Sequence, residues 1–198
     1  MSEKLRFELD TGIGITVAAC SIEYASNTEL IYPIAKSLAV YEVITGTTRF
    51  LAKNKNIKCF KVAPNLTVTA VAELSSTKCE VCIYHIASGK LLQTLKIKEN
   101  DGVPTSLGFS GDSKFVSCVT GSEILYWKWE GDKIVSRVKT AKIETKIEFC
   151  PSDASILSLS GPQLLRLWGL SSDFTLKQVA ILTTNMEAEN NFVGHTWL

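Results

Sequence analysis

The sequence predicts an all-β fold made of repeated sheets, and three observations lead to this prediction. Four apolar segments each carry one aromatic residue, and these residues are Tyr41, Tyr84, Trp127 and Trp168. They lie 43, 43 and 41 residues apart. A turn rich in Pro, Asn, Asp, Gly or Ser and then an apolar run precede each of them. No long window of the sequence has the apolar stripe of an amphipathic helix.

Each repeat contains strand, turn, strand, loop, strand with the aromatic residue, turn and strand. The third repeat shows this order clearly, because Phe109 comes before a Ser-Gly-Asp turn and residues 115–119 are the next apolar run. A four-stranded antiparallel sheet every ~40–45 residues is the spacing of a propeller blade. Strands that lie between neighbouring blades are apolar on both faces, which explains the continuous apolar runs. We therefore predict a partial β-propeller with four four-stranded antiparallel blades plus the start of a fifth.

The repeat boundaries divide the chain into six segments. We expect an N-terminal strand segment at residues 1–20, blades at residues 21–56, 57–103, 104–144 and 145–184, and the start of a fifth blade at residues 185–198. In the first segment Leu5, Phe7 and Leu9 alternate with charged residues, which predicts an edge strand. Many propellers add an N-terminal strand to the last blade, and we expect that blade to lie outside this chain. The strand would therefore pair with another polypeptide through these residues or lie unpaired. The four aromatic residues are expected to be buried anchors on the third strands of their blades.

Composition and charge disfavour several classes of protein. The chain has 21 basic and 20 acidic residues and a formal net charge of +1, without the basic surplus of a nucleic-acid-binding protein. Its apolar runs are shorter than the roughly 18–20 residues that span a bilayer, and the mixed charges near the first run disfavour a signal peptide. Six cysteines lie mostly in apolar runs, where free cysteine behaves as a small hydrophobic residue. We therefore expect reduced cysteines in a cytosolic chain, and neither nucleic acid nor membrane as a partner.

Cys79, Cys82 and His85 invite a zinc interpretation, because Cys-x-x-Cys beside a histidine can bind this metal. Residues three apart on a strand point to opposite faces, so the two cysteines are expected to face different blades instead. Neither His85 nor His195 has a Ser, Cys or Asp partner at a recognised nucleophile spacing. We expect no catalytic residue, no cofactor and no metal, and therefore no enzyme.

Short pieces distributed along the chain carry a family resemblance. They lie at residues 30–33, 109–115, 125–130, 175–178 and 191–198, and the Tyr-Trp-Lys-Trp-Glu and His-Thr-Trp pieces are the most distinctive. The repeats resemble WD repeats, and among these they are most similar to the cilia- and flagella-associated WD-repeat proteins. The resemblance covers nearly the whole chain in one register. His195 follows Gly194 as in the structural Gly-His pair of a regular WD blade.

The repeats depart from regular WD repeats after each aromatic anchor. The next residues are Glu42, His85, Lys128 and Gly169, and none of them is Asp. The buried Asp–His–Ser–Trp hydrogen-bond network of the family is therefore absent. We expect the blades to be held together by packing.

The resemblance implies a non-enzymatic structural scaffold of the ciliary or flagellar axoneme, in the cytoskeleton. Relatives in this family dock or tether dynein arms on doublet microtubules, so other axonemal proteins are the implied partners. Family members carry two complete propellers, which implies that further propeller sequence or another chain covers the open faces of the terminal blades. The alternative is a generic cytoplasmic WD-repeat scaffold for protein interactions, for example in translation initiation or vesicle traffic.

Four lysines cluster near the start of the second repeat, at Lys53, Lys55, Lys58 and Lys61. They could form a small basic patch that binds the acidic tails of tubulin. Otherwise they belong to a solvated loop between two blades, which is the interpretation we favour.

Overall fold

A computed structural model of the chain describes residues 22–53, 55–76, 78–98, 101–121, 123–131, 133–140, 146–161, 164–183 and 195–197. These residues form sixteen β-strands in four antiparallel sheets, which confirms the predicted all-β propeller fold. We call the sheets blades 1 to 4. Within the described ranges no helix is long and apolar enough to cross a bilayer.

The strands of each blade follow one another in chain order, and each pairs with the next. Blade 1 contains β1 (Glu23–Tyr24), β2 (Glu29–Ile34), β3 (Ser37–Glu42) and β4 (Thr48–Phe50). Blade 2 contains β5 (Asn56–Val62), β6 (Val68–Leu74), β7 (Cys79–His85) and β8 (Leu91–Lys96). Blade 3 contains β9 (Ser106–Phe109), β10 (Phe115–Thr120), β11 (Glu123–Lys128) and β12 (Ile134–Lys139). Blade 4 contains β13 (Lys146–Cys150), β14 (Asp153–Gly161), β15 (Leu164–Leu170) and β16 (Leu176–Thr183).

The turn chemistry of the sequence closes the hairpins between the first and second strands. In blade 2, Asn65 Oδ1 accepts a hydrogen bond of 3.0 Å from the amide of Thr67, as asparagine side chains commonly do in turns. In blade 3, Asp112 Oδ1 accepts one of 3.1 Å from the amide of Lys114. Because the strands alternate in direction, the 1–2 and 3–4 turns of every blade lie at one end, which we call the turn face. The 2–3 hairpins and the connections between blades lie at the other end, the linker face.

Three apolar clusters hold successive blades together. One joins blades 1 and 2, one joins blades 2 and 3, and one joins blades 3 and 4. Neighbouring residues of one strand serve opposite interfaces, since Trp127 packs in the cluster with blade 2 and Tyr126 in the cluster with blade 4. This is the period-two alternation of a strand that is buried on both faces.

The four aromatic anchors all lie on third strands, next to the fourth-strand turn. Trp127, Tyr84 and Trp168 are buried, and each packs against the preceding blade. At each of these three residues the pairing with the fourth strand shifts register. Tyr41 differs from the expectation because it is only half-buried. Leu38 and Val40 face blade 2, so Tyr41 points to the other side of blade 1, where the described residues include no further blade.

Candidate functional site

A buried carboxylate on the linker face ties blade 2 to the connection that precedes it. Glu73 is 6% exposed, and its Oε1 accepts a hydrogen bond of 2.5 Å from the hydroxyl of Tyr84. Its Oε2 lies 3.0 Å from Nζ of Lys55, in the connection between blades 1 and 2. The hydrogen bond to Glu73 raises the pKa of Lys55, while burial and then the same carboxylate raise the pKa of Tyr84. The contact therefore fixes both the anchor of blade 2 and its entry segment.

A second ionic contact ties blade 3 to the connection from blade 2. Asp101 is 8% exposed and accepts hydrogen bonds of 2.6 and 2.7 Å from the two terminal nitrogens of Arg137. Nη1 of Arg137 also lies 3.2 Å from Oε2 of Glu123. Burial acts to raise the pKa of Asp101, but the hydrogen bonds from Arg137 and from the amide of Lys98 outweigh it and lower the pKa. Ionic pairs therefore hold the entry segments of blades 2 and 3, in addition to the apolar packing that joins the blades.

His195 binds the side of blade 4 that faces away from blade 3. Its Nε2 lies 2.6 Å from Oγ of Ser158 and its Nδ1 lies 2.9 Å from Oγ of Ser160, both on β14. Lys146 Nζ donates a hydrogen bond of 2.9 Å to the carbonyl oxygen of His195. Burial and the nearby Lys146 lower the pKa of this imidazole. Both ring nitrogens are engaged, so the histidine attaches the following segment to the sheet.

Cys79, Cys82 and His85 occupy structural positions. Cys82 belongs to the cluster with blade 1, whereas Cys79 shares a strand face with Val81 and Ile83, which pack against blade 3. Burial raises the pKa of Cys79 to about 11 and that of Cys82 to about 12, so both thiols stay protonated. His85 Nδ1 lies 2.8 Å from Oγ of Ser88 in the exposed 3–4 turn. Among the described residues, no group of three or more metal-ligating side chains could hold an ion.

The four lysines do not form one patch. Lys53 lies over the ring of Phe50 at 5.8 Å from its centroid, and Lys55 pairs with the buried Glu73. Lys58 and Lys61 lie on β5, and Lys61 is about 20 Å from Lys55 along the strand, at the turn-face end. The structure thus divides the lysines between the two faces. Leu5, Phe7 and Leu9 lie outside the described residues, as does most of the segment at residues 185–198.

A pocket of about 610 Å³ opens on the turn face, where the inner strands of all four blades converge. We call it the turn-face pocket. Its walls are mostly apolar and come from the residues beside the 1–2 turns, which are Ile22, Tyr24, Val62, Ala63, Pro64, Leu66, Phe109, Gly111, Phe149 and Pro151. Gly111 is required here, because a Cβ at this position would overlap the carbonyl oxygen of Pro151 in the neighbouring blade.

Three charged side chains line the turn-face pocket, and they lie on three different inner strands. Lys61 Nζ is 3.2 Å from Oε1 of Glu23 and 3.7 Å from Oε1 of Glu148. The other oxygen of Glu23 accepts a hydrogen bond of 2.6 Å from the amide of Val62. Burial acts to lower the pKa of Lys61, but the two carboxylates outweigh it and raise the pKa. Lys146 Nζ also lies 3.3 Å from Oε1 of Glu148, so two ammonium groups balance the two carboxylates beside the apolar rim of the pocket.

The sequence contains no local pattern that reveals this pocket. Glu23, Lys61 and Glu148 are far apart in the chain, and only the curvature of the blades brings them together. The one available signal is Leu66, a large apolar residue that follows the Pro64-Asn65 turn where a polar residue or glycine is usual.

Comparisons with known proteins agree with the architecture. The chain is 24% identical over 183 residues to cilia- and flagella-associated protein 57 from Mus musculus, which confirms the resemblance predicted from the sequence. This match covers 85% of the chain and 14% of that protein. No family model matches the sequence.

Solved structures show the same fold. The crystal structure of Hsv2 from Kluyvelomyces marxianus superposes with a TM-score of 0.69 at 11% identity, covering 83% of this chain and 61% of Hsv2. KlHsv2 with loop 6CD replaced by a Gly-Ser linker also superposes with a TM-score of 0.69, at 13% identity, covering 82% of this chain and 58% of that one. The propeller fold and the similarity to a cilia- and flagella-associated protein support a role as a protein-interaction scaffold.

Proposed function

We propose that the chain is part of a non-enzymatic scaffold of the ciliary or flagellar axoneme, where it docks or tethers dynein arms or neighbouring complexes on doublet microtubules. The observation that carries this proposal is the similarity to cilia- and flagella-associated protein 57 over 85% of the chain. The partners are other axonemal proteins, and the chain resides in the cytoskeleton of the cilium.

The described architecture suits a rigid scaffold. Three apolar interfaces fix the blades relative to one another, and the ionic contacts of Glu73 and Asp101 hold the entry segments of blades 2 and 3. Rigid blades hold their turns in constant positions, so one propeller offers several separate binding surfaces. Burial raises the pKa values of Cys79 and Cys82, so these two thiols offer no reactive thiolate. We propose accordingly that the protein is not an enzyme.

We propose further that propeller sequence beyond the four blades, or another chain, covers the outer sides of blades 1 and 4. Tyr41 and Leu30 are half-buried on the outer side of blade 1, and Leu165 and Leu167 are half-buried on that of blade 4. Apolar strands of a propeller are ordinarily covered on both sides, and His195 already contacts the outer side of blade 4. A complete ring would supply the missing neighbours.

Fractionation of isolated cilia tests the axonemal proposal. The native protein, detected with an antibody, should stay with the axonemes when detergent removes the membrane and soluble matrix. High salt should then release it, because docking contacts between charged surfaces weaken as ionic strength rises. Absence from cilia, with the protein confined to the cell body, would contradict the proposal and favour the generic cytoplasmic scaffold.

A pair of variants links this test to the fold. The full-length protein carrying Trp127→Ala should be lost from axonemes, since the substitution removes a fully buried aromatic side chain from the interface of blades 2 and 3. The matched control is Leu91→Ala, which changes an exposed residue on an outer strand and should leave axonemal binding unchanged.

A further inference from the structure

We propose that the linker-face end of blades 1 and 2 is a docking surface for an acidic, extended segment of a partner protein. Its cations come from the two 2–3 hairpins, from the connection between the blades and from the start of β5. We call this set the basic surface, and it consists of Lys36, Lys53, Lys55, Lys58 and Lys78. This proposal names the partner chemistry of the scaffold and rests on that role, but it does not depend on a ciliary location.

Main-chain and side-chain contacts bring lysines from distant positions to this surface. The amide of Lys55 donates a hydrogen bond of 2.7 Å to the carbonyl oxygen of Lys36, in the 2–3 hairpin of blade 1. The ammonium group of Lys55 reaches Glu73, near the end of β6. The carbonyl oxygen of Lys78 accepts a hydrogen bond of 2.8 Å from the amide of Ser75 and closes the hairpin that follows β6. Lys36 and Lys78 are 42 positions apart in the sequence, yet the fold places them on one surface.

Positive charges outnumber negative charges on the basic surface. Among the described residues, Glu73 and Glu80 belong to it, and the buried Glu73 pairs with a lysine of the connection. Five lysines against two glutamates leave a net charge of three positive units. Within the described ranges, Lys36, Lys53 and Lys78 are exposed and form no ion pair. These three ammonium groups are therefore available to an anionic partner, in contrast to those near the turn-face pocket.

The opposite end of the same two blades is balanced. Its charged residues are three acids and three bases, which are Glu23, Glu29, Glu42, Arg49, Lys61 and Lys90. Arg49 lies 2.6 Å from Glu29, and Lys61 lies 3.2 Å from Glu23. The excess of positive charge is therefore local to the linker face, although the whole chain has a formal net charge of only +1.

The composition of the basic surface favours carboxylates over the phosphates of nucleic acids or lipids. All its cations are lysines, whereas the planar guanidinium group of arginine matches phosphate geometry better. At this end of blades 1 and 2 the described residues include no exposed aromatic or other large apolar side chain. Nucleic acid bases therefore lack a stacking surface, and a bilayer lacks a residue that inserts. Ammonium groups on flexible stems act as point charges, which suits the carboxylates of an extended chain.

The spacing of the two hairpins favours an extended segment over a single anion. Lys36 and Lys78 lie in equivalent hairpins of two packed sheets, and packed sheets are about 10 Å apart. An extended chain rises about 3.3 Å per residue and alternates its sides, so acidic residues two or four positions apart lie about 7 or 13 Å apart on one side. A segment with alternating acidic residues therefore reaches both lysines at once, which one carboxylate does not.

Binding of a labelled peptide by the immobilised chain tests the proposal. The chain would be attached at low density, so that copies do not contact one another. The probe alternates serine and glutamate over eight residues, and its matched control alternates serine and glutamine. The glutamate peptide should bind about tenfold more tightly, and its binding should weaken as salt rises from about 50 to about 300 mM, because exposed charges are screened. Equal binding of the two peptides, or no binding of either, would overturn the proposal.

Two double variants with the same net charge locate the site. Lys36→Gln with Lys78→Gln removes two charges from the basic surface and should weaken binding of the glutamate peptide about tenfold. Lys90→Gln with Lys128→Gln removes two charges from the turn face and should bind as the unmodified chain does. All four lysines are exposed, so both variants should fold. An equal loss in the two variants, or no loss in the first, would refute the assignment of the site.

Competition separates the classes of anion. Oligothymidine of eight nucleotides and vesicles that contain phosphatidylserine, each at an equal concentration of negative charge, should displace the labelled peptide less well than unlabelled glutamate peptide does. Stronger displacement by either competitor would assign the surface to nucleic acid or lipid and overturn the proposal. Peptide binding without axonemal association would refute only the ciliary role, whereas axonemal association without peptide binding would refute only this docking surface.

Discussion

Trp127 and Tyr41 occupy equivalent positions on the third strands of blades 3 and 1, yet their surroundings differ. Trp127 is 0% exposed because blade 2 covers it, whereas Tyr41 is half-buried on the outer side of blade 1. The repeat determines which way each side chain points. A side chain that points to that side is buried only where a neighbouring blade packs against it. Most of the stability of a blade therefore comes from its interfaces with other blades.

The largest expected effect is the loss of stability on replacing Trp127, compared with the loss on replacing Tyr41. Trp127→Ala should lower the free energy of unfolding by about 3–5 kcal/mol, because it leaves a cavity between blades 2 and 3. Tyr41→Ala should cost about 1 kcal/mol, since less apolar area is lost from a half-buried site. Urea denaturation of both variants gives the comparison, with Tyr24→Ala as an exposed aromatic control. Equal losses at the two anchors would show that the preceding blade does not matter.

The uncovered sides of the terminal blades should also affect association. The isolated 198-residue chain is expected to self-associate, because the described residues include no blade that covers half-buried side chains such as Leu30, Tyr41, Leu165 and Leu167. Sedimentation velocity at several concentrations measures this. A monomer at all concentrations that also melts cooperatively would contradict the expectation and the proposal that a longer ring covers these sides.

Removal of the buried ionic contact at the junction of blades 2 and 3 should have an intermediate effect. Asp101→Asn leaves Arg137 with the weaker partner Glu123 and should cost about 1.5–3 kcal/mol, the range for hydrogen bonds to charged groups. Because the folded chain lowers the pKa of Asp101, its contribution is present above the ordinary value near 3.8 and is lost as pH falls below it. Stability measured against pH should show this loss in the unmodified chain and not in the variant.

The smallest expected effect concerns His195. Folding lowers its pKa, so attachment to Ser158 and Ser160 is complete above the ordinary value near 6.5 and weakens as pH falls through that value. NMR titration of this imidazole in the folded and in the urea-unfolded chain compares the two states directly. An equal or higher pKa in the folded chain would refute the geometry at this site.

The fold was predictable because it depends on local and periodic signals. Regular spacing of the aromatic anchors placed them on third strands, and alternation along β7 separated Cys79 from Cys82. Turn residues such as Asn65 hydrogen-bond within a few positions, so their role is visible in the sequence. The blade boundaries at residues 21–56, 57–103, 104–144 and 145–184 stay a prediction.

The ionic contacts and the pocket were not predictable in the same way. Asp101 and Arg137 lie 36 positions apart, and no spacing rule connects a linker residue with a fourth strand. The lysine cluster shows the converse, because lysines that are close in sequence on an extended strand end at opposite faces of the molecule. Exposure of Tyr41 likewise depends on a neighbouring blade and not on its own repeat.

The apolar clusters join each blade only to the next one, so the apolar packing of the described arc is a linear series of junctions between nearest neighbours. In such arrays each unit contributes an intrinsic stability, and each junction adds a coupling energy. Terminal units have one junction instead of two and therefore fray first. Amide hydrogens of β6, β7, β10 and β11, in the two central blades, should consequently exchange with solvent more slowly than those of blades 1 and 4.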